Sequence, residues 1–433
     1  MSFALACSAG AQDSGGLNAS LSVSQTLRYS TNDGFGSGDG TFRAQTDLGF
    51  SLSSQTRTDG LTLQANSGLY VTGDDFEIGI KDPSLSLAYQ RTSKRSDFTA
   101  RLSYRTLDLG SYIASDEDDL SLTILDNGTR KNVDGSVALV FGKDMPLGGT
   151  VSLSRSSVDY EDVADPDLVD SVTTSLASQV NLKIDHRITG RVTASWSELD
   201  QDVADRVTIV GGVGADFLVN KNLTVGADLT YNVVETTNAT SSSTNEGWGA
   251  SVNATQLLPD GSISGEFRTG FNQNGRESSV NISGQRQLKN GTLGASIGGT
   301  LSDDSDLAPL YGLSYSTELV KGGVLSANLS QSFNVANDGA ETVYTSMKLS
   351  YQTALTRVSN ISTAFTFRDS KGVNVDGEDA SRMDLSVRYR HELARDWGLV
   401  GGYTYSYATE DGQDDRSTNT VFVGLDKTFN WHP

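Results

Sequence analysis

From Leu17 to Trp431 the chain alternates apolar and polar residues, run after run. In Leu17-Asn-Ala-Ser-Leu-Ser-Val-Ser-Gln-Thr-Leu-Arg-Tyr29 the odd positions are apolar and the even ones polar, Gln25 being the exception. Phe42, Ala44, Thr46, Leu48, Phe50 and Leu52 repeat the pattern on even positions, and Leu61, Leu63, Ala65, Leu69 and Val71 follow after Asp59-Gly60. Period two puts one apolar and one polar face on an extended strand, and no stretch has an apolar period of 3.6. We count about 22 such segments, each near the 9–11 residues that a tilted membrane strand needs. Helical spans are excluded, because no run of about 20 apolar residues exists.

Composition decides what the strands can enclose. The 433 residues are only 36% hydrophobic and carry 54 Asp+Glu against 33 Lys+Arg, a formal charge of −21. An ordinary soluble domain is about 45–50% apolar, so a thick aliphatic core is ruled out. Low hydrophobicity with high charge is the signature of disorder, but the strict order of the residues excludes it. No basic stretch exists to neutralise phosphates, which argues against nucleic acid as a partner. A β-solenoid would show a fixed repeat, whereas here segment phase and loop length vary. A β-sandwich needs a thicker apolar interior. One apolar residue in two suits a cylinder with lipid outside and water inside.

The connections alternate as well. Thr58-Asp-Gly60, Ser93-Lys-Arg95, Asn220-Lys-Asn222, Pro259-Asp-Gly261, Lys289-Asn-Gly291 and Lys321-Gly-Gly323 are short turns, of the kind that adopt tight hairpins without strain. The other set is longer and acidic: Asp74–Asp82, Glu161–Asp170, Glu235–Glu246, Asp303–Asp306, Asp369–Asp379 and Glu410–Asp415. All six prolines are expected between segments or at an end, where a missing N–H does no harm. The expected fold is therefore an all-β, closed, antiparallel, up-and-down transmembrane β-barrel of about 22 strands (20–24), with short periplasmic turns and long acidic extracellular loops.

Aromatic residues fall at two heights. Tyr29, Tyr104, Trp196, Tyr231, Phe271, Phe333, Phe367 and Tyr407 end segments just before long loops, and Trp248 begins one. Trp397, Phe429 and Trp431 stand near the short-turn end. Two belts of amphipathic rings mark two water boundaries. Residues 1–11, ending in Ala9-Gly-Ala11 and holding the single cysteine Cys7, read as the remnant of a secretory signal, with residues 12–433 as one barrel domain.

On these features the chain resembles the Gram-negative outer-membrane β-barrel proteins, specifically the porin-type family. The last strand, Val421-Phe-Val-Gly-Leu-Asp-Lys-Thr-Phe429-Asn-Trp431, carries the resemblance. Such barrels end in an alternating strand with a glycine and a terminal aromatic, so the resemblance implies that Gly424, Phe429 and Trp431 form an insertion signal for the outer-membrane assembly machinery. Lys427 departs from this pattern in a slot that is often apolar, and His432 and Pro433 trail the aromatic. Twenty-two strands is also the count of TonB-dependent transporters, whose lumen holds a plug. Because strands begin at Leu17, a plug is not expected, and the reading excludes a receptor of that kind.

The resulting expectation is a porin-like channel for passive diffusion of small polar solutes or ions, biased to cations by the overall charge. The alternative is a non-conducting barrel for surface architecture, adhesion or polysaccharide export. The segment Thr106–Asn132 is the longest connection, and a pore constriction is expected where Asp116, Glu117, Asp118 and Asp119 meet wall arginines from Arg101, Arg105, Arg382 and Arg388. Partners are the bilayer and lipopolysaccharide, with monomer and homo-oligomer both open. No cofactor is expected, Ca²⁺ at Asp376-Gly-Glu-Asp379 or Asp411-Gly-Gln-Asp-Asp415 being a weak alternative. No catalytic constellation is present: His186, His391 and His432 have no Ser and carboxylate at matching positions.

Overall fold

A computed structural model describes residues 16–31, 40–72, 77–109, 128–163, 168–238, 241–303, 305–319, 322–335, 339–373, 379–411 and 415–431. They form one 22-stranded sheet, from β1 (Leu17–Thr31) to β22 (Arg416–Trp431). Each strand is antiparallel to its sequence neighbours, and β1 pairs with β22, with Ser22 opposite Thr428. The sheet thus closes without an edge, so no open row of backbone N–H and C=O groups is left inside a hydrocarbon layer.

Closure sorts the side chains as the alternation requires. Leu, Val and Ile of the apolar phase are widely exposed, for example Leu27, Val192, Val213, Ile297 and Val423, all above 50%. In a soluble protein that exposure would be prohibitive; here it is the surface offered to acyl chains. The phase between them points into the bore.

The strands run 11 to 17 residues, longer than the span requires, so several stand clear of the bilayer. The segment Glu235–Glu246, expected as a loop, is such a case. β11 (Leu223–Asn238) and β12 (Ser242–Leu258) continue through it, pairing Glu235 with Thr244 and Thr237 with Ser242. Its threonines favour extended backbone, and their hydroxyls cost nothing in water.

The prolines also depart from expectation. Pro83 lies inside β4 (Glu77–Thr92) and Pro309 inside β16 (Ala308–Glu318). Against β3 (Asp59–Thr72), Lys81 pairs with Gly68 and Ser84 with Asn66, so Asp82 and Pro83 together oppose Ser67. That is a bulge, with Asp82 at φ 43°, and a residue lacking an N–H fits where the ladder is already broken. The expected loop Asp74–Asp82 is shortened to 73–76 by the same strand.

Candidate functional site

The bore is lined by the polar phase, and its charges fall into two kinds: those knotted together and those held out into the lumen.

The tightest knot crosses three strands. Arg191 on β9 (Ile188–Gln201) and Asp228 on β11 are separated by β10 (Ala204–Asn220), where Gly214 is the register partner of both. Arg191 Nη2 reaches both oxygens of Asp228 at 2.7 Å and Nε donates to Oδ1 at 2.9 Å, while Nη1 donates to Asp216 at 2.9 Å. Ser251 Oγ adds a bond to Asp228 at 3.1 Å. A Cβ on Gly214 would lie 1.9 Å from Asp228 Oδ1. The absent side chain is the window through which the ion pair closes. Gly211-Gly-Val-Gly214 therefore has a structural use that its sequence conceals.

A second knot braces β20 (Ala380–Ala394). Arg382 Nε donates to Asp384 at 3.1 Å, Ser406 Oγ donates to Asp384 at 2.7 Å, and the Arg and Asp side chains are each 9% exposed. Lower on the same strand Arg390 binds Asp426 of β22 at 2.7 Å. Fully desolvated, such charges require partners.

Other arginines remain out in the bore. Arg388 stands between Arg382 and Arg390 on the luminal phase of β20, beside Ser362 and Gly402, and is exposed. Arg101 on β5 (Ser96–Asp108) and Arg268 on β13 (Gly261–Asn272) are likewise exposed on the luminal phase. None of the three makes a hydrogen bond or ion pair to another described residue. Between these regions the wall across β13 to β18 (Glu341–Thr356) is nearly neutral, built from Ser264, Ser283, Ser296, Ser314, Ser330 and similar small residues around a cavity of about 940 Å³.

The expected constriction is placed only in part. Arg101 and Arg105 share the luminal phase of β5, and Arg382 and Arg388 that of β20. The two pairs are seven strand steps apart through the β22–β1 seam, roughly 34 Å along the wall at about 4.8 Å per step, so the structure does not bring them together. Asp116, Glu117, Asp118 and Asp119 lie outside the described residues, as do 376–378 and 412–414 of the acidic loops considered for Ca²⁺. Among the described residues no group of three His, Cys, Asp or Glu is arranged to hold a metal ion. Arg191 was missed, although it stands in the luminal phase of its strand; the window that makes it matter is visible only in the register.

On the lipid side, Tyr29 packs on Phe42 with ring centroids 4.7 Å apart, and Tyr231 on Trp248 at 5.3 Å. Tyr104, Trp196, Phe271, Phe333, Phe367 and Tyr407 lie in the halves of their strands that lead into the long connections. At the seam, Phe429 stacks on Trp431 at 6.3 Å. Gly424 pairs with Thr26, and a Cβ there would meet the Gln25 carbonyl oxygen at 2.3 Å. Lys427 lies on the outer phase with Nζ 4.6 Å from the Trp397 ring and 4.7 Å from that of Phe429, which resolves the misfit of a cation in an apolar row.

No family model matches the chain, and a search of curated proteins found no match. Solved structures do match in fold. A ferric enterobactin receptor (PfeA) mutant from Pseudomonas aeruginosa is similar over 97% of this chain and 81% of its own, with TM-score 0.59 and 10% identity. The siderophore receptor PirA from Acinetobacter baumannii gives 97%, 81%, 0.58 and 10%, and the FrpB iron transporter from Neisseria meningitidis 96%, 82%, 0.60 and 10%. At that identity what is shared is the fold: a closed 22-stranded antiparallel barrel of the outer membrane.

These matches correct the sequence reading. The porin-type assignment, with TonB-dependent receptors excluded, is overturned, because the barrels that match are iron and siderophore receptors of that very kind. The passive, cation-biased porin channel and its non-conducting alternative fall with it. The physical reason is that the lipid-facing pattern is common to both classes, and the exclusion rests on the expected absence of a plug, which says nothing about the barrel wall itself. The matching structures are transport receptors and a transporter, not enzymes.

Proposed function

We propose that this chain is the barrel of an outer-membrane import receptor for a bulky polar ligand of the ferric-chelate class. The observation that carries the reading is closure at 22 strands around a hydrophilic bore, with Arg101, Arg268 and Arg388 exposed on its wall. A bore of this width admits ligands far larger than ions. Guanidinium forks held into it suit planar, oxygen-rich anions, the donor set of iron chelates. The named functions of the matching structures, ferric enterobactin receptor, siderophore receptor and iron transporter, support the same class. The serine-rich wall offers hydrogen bonds, with Lys348 as the one charged residue in the lining of its cavity.

The test is a titration of the purified protein in detergent with ferric catecholate, ferric hydroxamate and ferric citrate chelates, read by tryptophan fluorescence quenching. Saturable binding of at least one chelate, weakened by Arg388→Gln or Arg101→Gln, is the expected result. Absence of saturable binding to all three overturns the reading.

A further inference from the structure

The two ends of the barrel carry opposite charge. The eleven connections at one end, from 32–40 to 411–415, contain 24 Asp and Glu and no Lys or Arg. The ten at the other end, from 56–58 to 395–396, contain ten Lys and Arg against four Asp and Glu. A chain of net charge −21 thus ends, on one side, in a basic ring.

That ring is exposed; of its cations Lys143 pairs with Asp97 and Arg395 lies 3.9 Å from Asp396, while six others are not spent within the protein. Arg57, Lys94, Arg187, Lys221, Lys289 and Arg357 stand at six of the ten turns, all exposed. None makes an ion pair among the described residues. The nearby carboxylates are occupied elsewhere. Asp59 accepts a hydrogen bond from the Tyr89 hydroxyl at 2.7 Å, Asp97 pairs with Lys143, and Asp260 pairs with Arg286 at 2.7 Å. Asp185 accepts the backbone N–H groups of Arg187 and Ile188 at 2.5 and 2.9 Å.

The height of the ring identifies what it faces. Trp397 is the first residue after the Arg395-Asp396 turn, and Phe141 the last before the turn at 142–146. The basic tips therefore lie about one or two residues, at about 3.3 Å each, beyond the aromatic belt. Aromatic belts sit at the headgroup boundary, so the tips reach the phosphate level. Lys427, threaded between the Trp397 and Phe429 rings on the outer surface, brings a further cation to that level. Short turns face the periplasm in such barrels, so the leaflet in question is the inner one.

We propose that the short-turn rim is a binding surface for anionic phospholipid headgroups of the inner leaflet, recognised by Arg57, Lys94, Arg187, Lys221, Lys289 and Arg357 and by Lys427 at the seam. Basic side chains near an anionic membrane surface are attracted individually and additively, within a Debye length. The surface is independent of whatever passes through the bore.

The experiment uses the full chain refolded into bilayers, in a Trp196→Phe, Trp248→Phe background that leaves Trp397 and Trp431 as reporters at the short-turn rim. Quenching by brominated phosphatidylglycerol is compared with quenching by brominated phosphatidylcholine. We expect about fivefold preference for phosphatidylglycerol at low salt, falling to near parity in 1 M salt. A fall to less than about twofold is expected when the six turn residues are changed together to Gln, Lys427 being retained. If the sixfold variant does not fold, as judged by heat-shifted gel mobility, the pairs R57Q/K94Q, R187Q/K221Q and K289Q/R357Q are expected to give graded losses. Equal quenching in the parent protein overturns the proposal, as does a preference above about twofold that survives the Gln changes. Sedimentation with peptidoglycan in the absence of a lipid preference overturns it in favour of an anionic polymer.

Discussion

Replacing Gly214 by Ala tests the luminal window directly. The new methyl would start 1.9 Å from Asp228 Oδ1, and ordinary contact needs about 3.4 Å or more, so the carboxylate must retreat by about 1.5 Å. Arg191 then loses its three contacts with Asp228, all at 2.7–2.9 Å. Hydrogen bonds between charged groups contribute about 1.5–3 kcal/mol each when buried. Here the side chains of Arg191 and Asp228 keep 17% and 20% exposure, and Asp216 still holds the guanidinium, so the total is discounted to about 2 kcal/mol. Relief of the strand-glycine penalty works the other way, by about 0.5–1 kcal/mol. The net expectation is a loss of about 1–1.5 kcal/mol in the parent protein. In an Asp228→Ser background the carboxylate is gone and only the Ala227 carbonyl oxygen, 2.8 Å from the new Cβ, still crowds it, so the same substitution is expected to be close to neutral. Equilibrium urea unfolding in lipid vesicles, run as a double-mutant cycle, reads the difference between the two backgrounds as a coupling energy. Equal effects of Gly214→Ala in both backgrounds would refute the window.

Three further outcomes are expected. Asp384→Asn removes the charge that Arg382 and Ser406 serve at a site 9% exposed, and unfolding midpoints are expected to report a loss of about 3 kcal/mol. Asp185 lies in a turn outside the membrane, and the N–H groups of Arg187 and Ile188 hold its carboxyl below the ordinary range. Its contribution is therefore present above the unfolded value of about 3.9 and is lost as pH falls through the lower folded value; the difference in urea midpoint between parent and Asp185→Ala should stay level from pH 7 to about 4.5 and shrink below it. Arg388→Gln is expected to raise the Kd of a bound ferric chelate about tenfold, in the titration described above, without moving the unfolding midpoint, because Arg388 makes no bond within the described wall.

Period two was enough to read the strands, their number and the side each residue faces, because lipid and water sort a barrel wall residue by residue. What it left out depends on neighbours that sequence does not order. Pro83 became part of a strand because a bulge opposite Ser67 freed its nitrogen from the ladder. Glu235–Glu246 became strand because threonine-rich hairpins remain paired in water as well as in lipid. Gly214 gained a purpose only once Arg191 and Asp228 were seen on either side of it. The likeness to the matching structures was hidden for a different reason: the lipid-facing alternation is shared by all outer-membrane barrels, and at 10% identity only the closed strand path relates this chain to them. The basic ring, by contrast, is written in the turn residues themselves, but the net charge of −21 masks it, because the acidic connections outweigh it.

The central claim, a closed wall with acyl chains on one side and water on the other, is tested by spin labels placed one at a time from Ser279 to Gln285 on β14 (Gly275–Leu288), in a Cys7→Ser background. Accessibility to oxygen is expected to peak at Val280, Ile282 and Gly284, and accessibility to a water-soluble nickel complex at Ser279, Asn281, Ser283 and Gln285. Uniform accessibility along the strand, or the two probes exchanging phase, would contradict it.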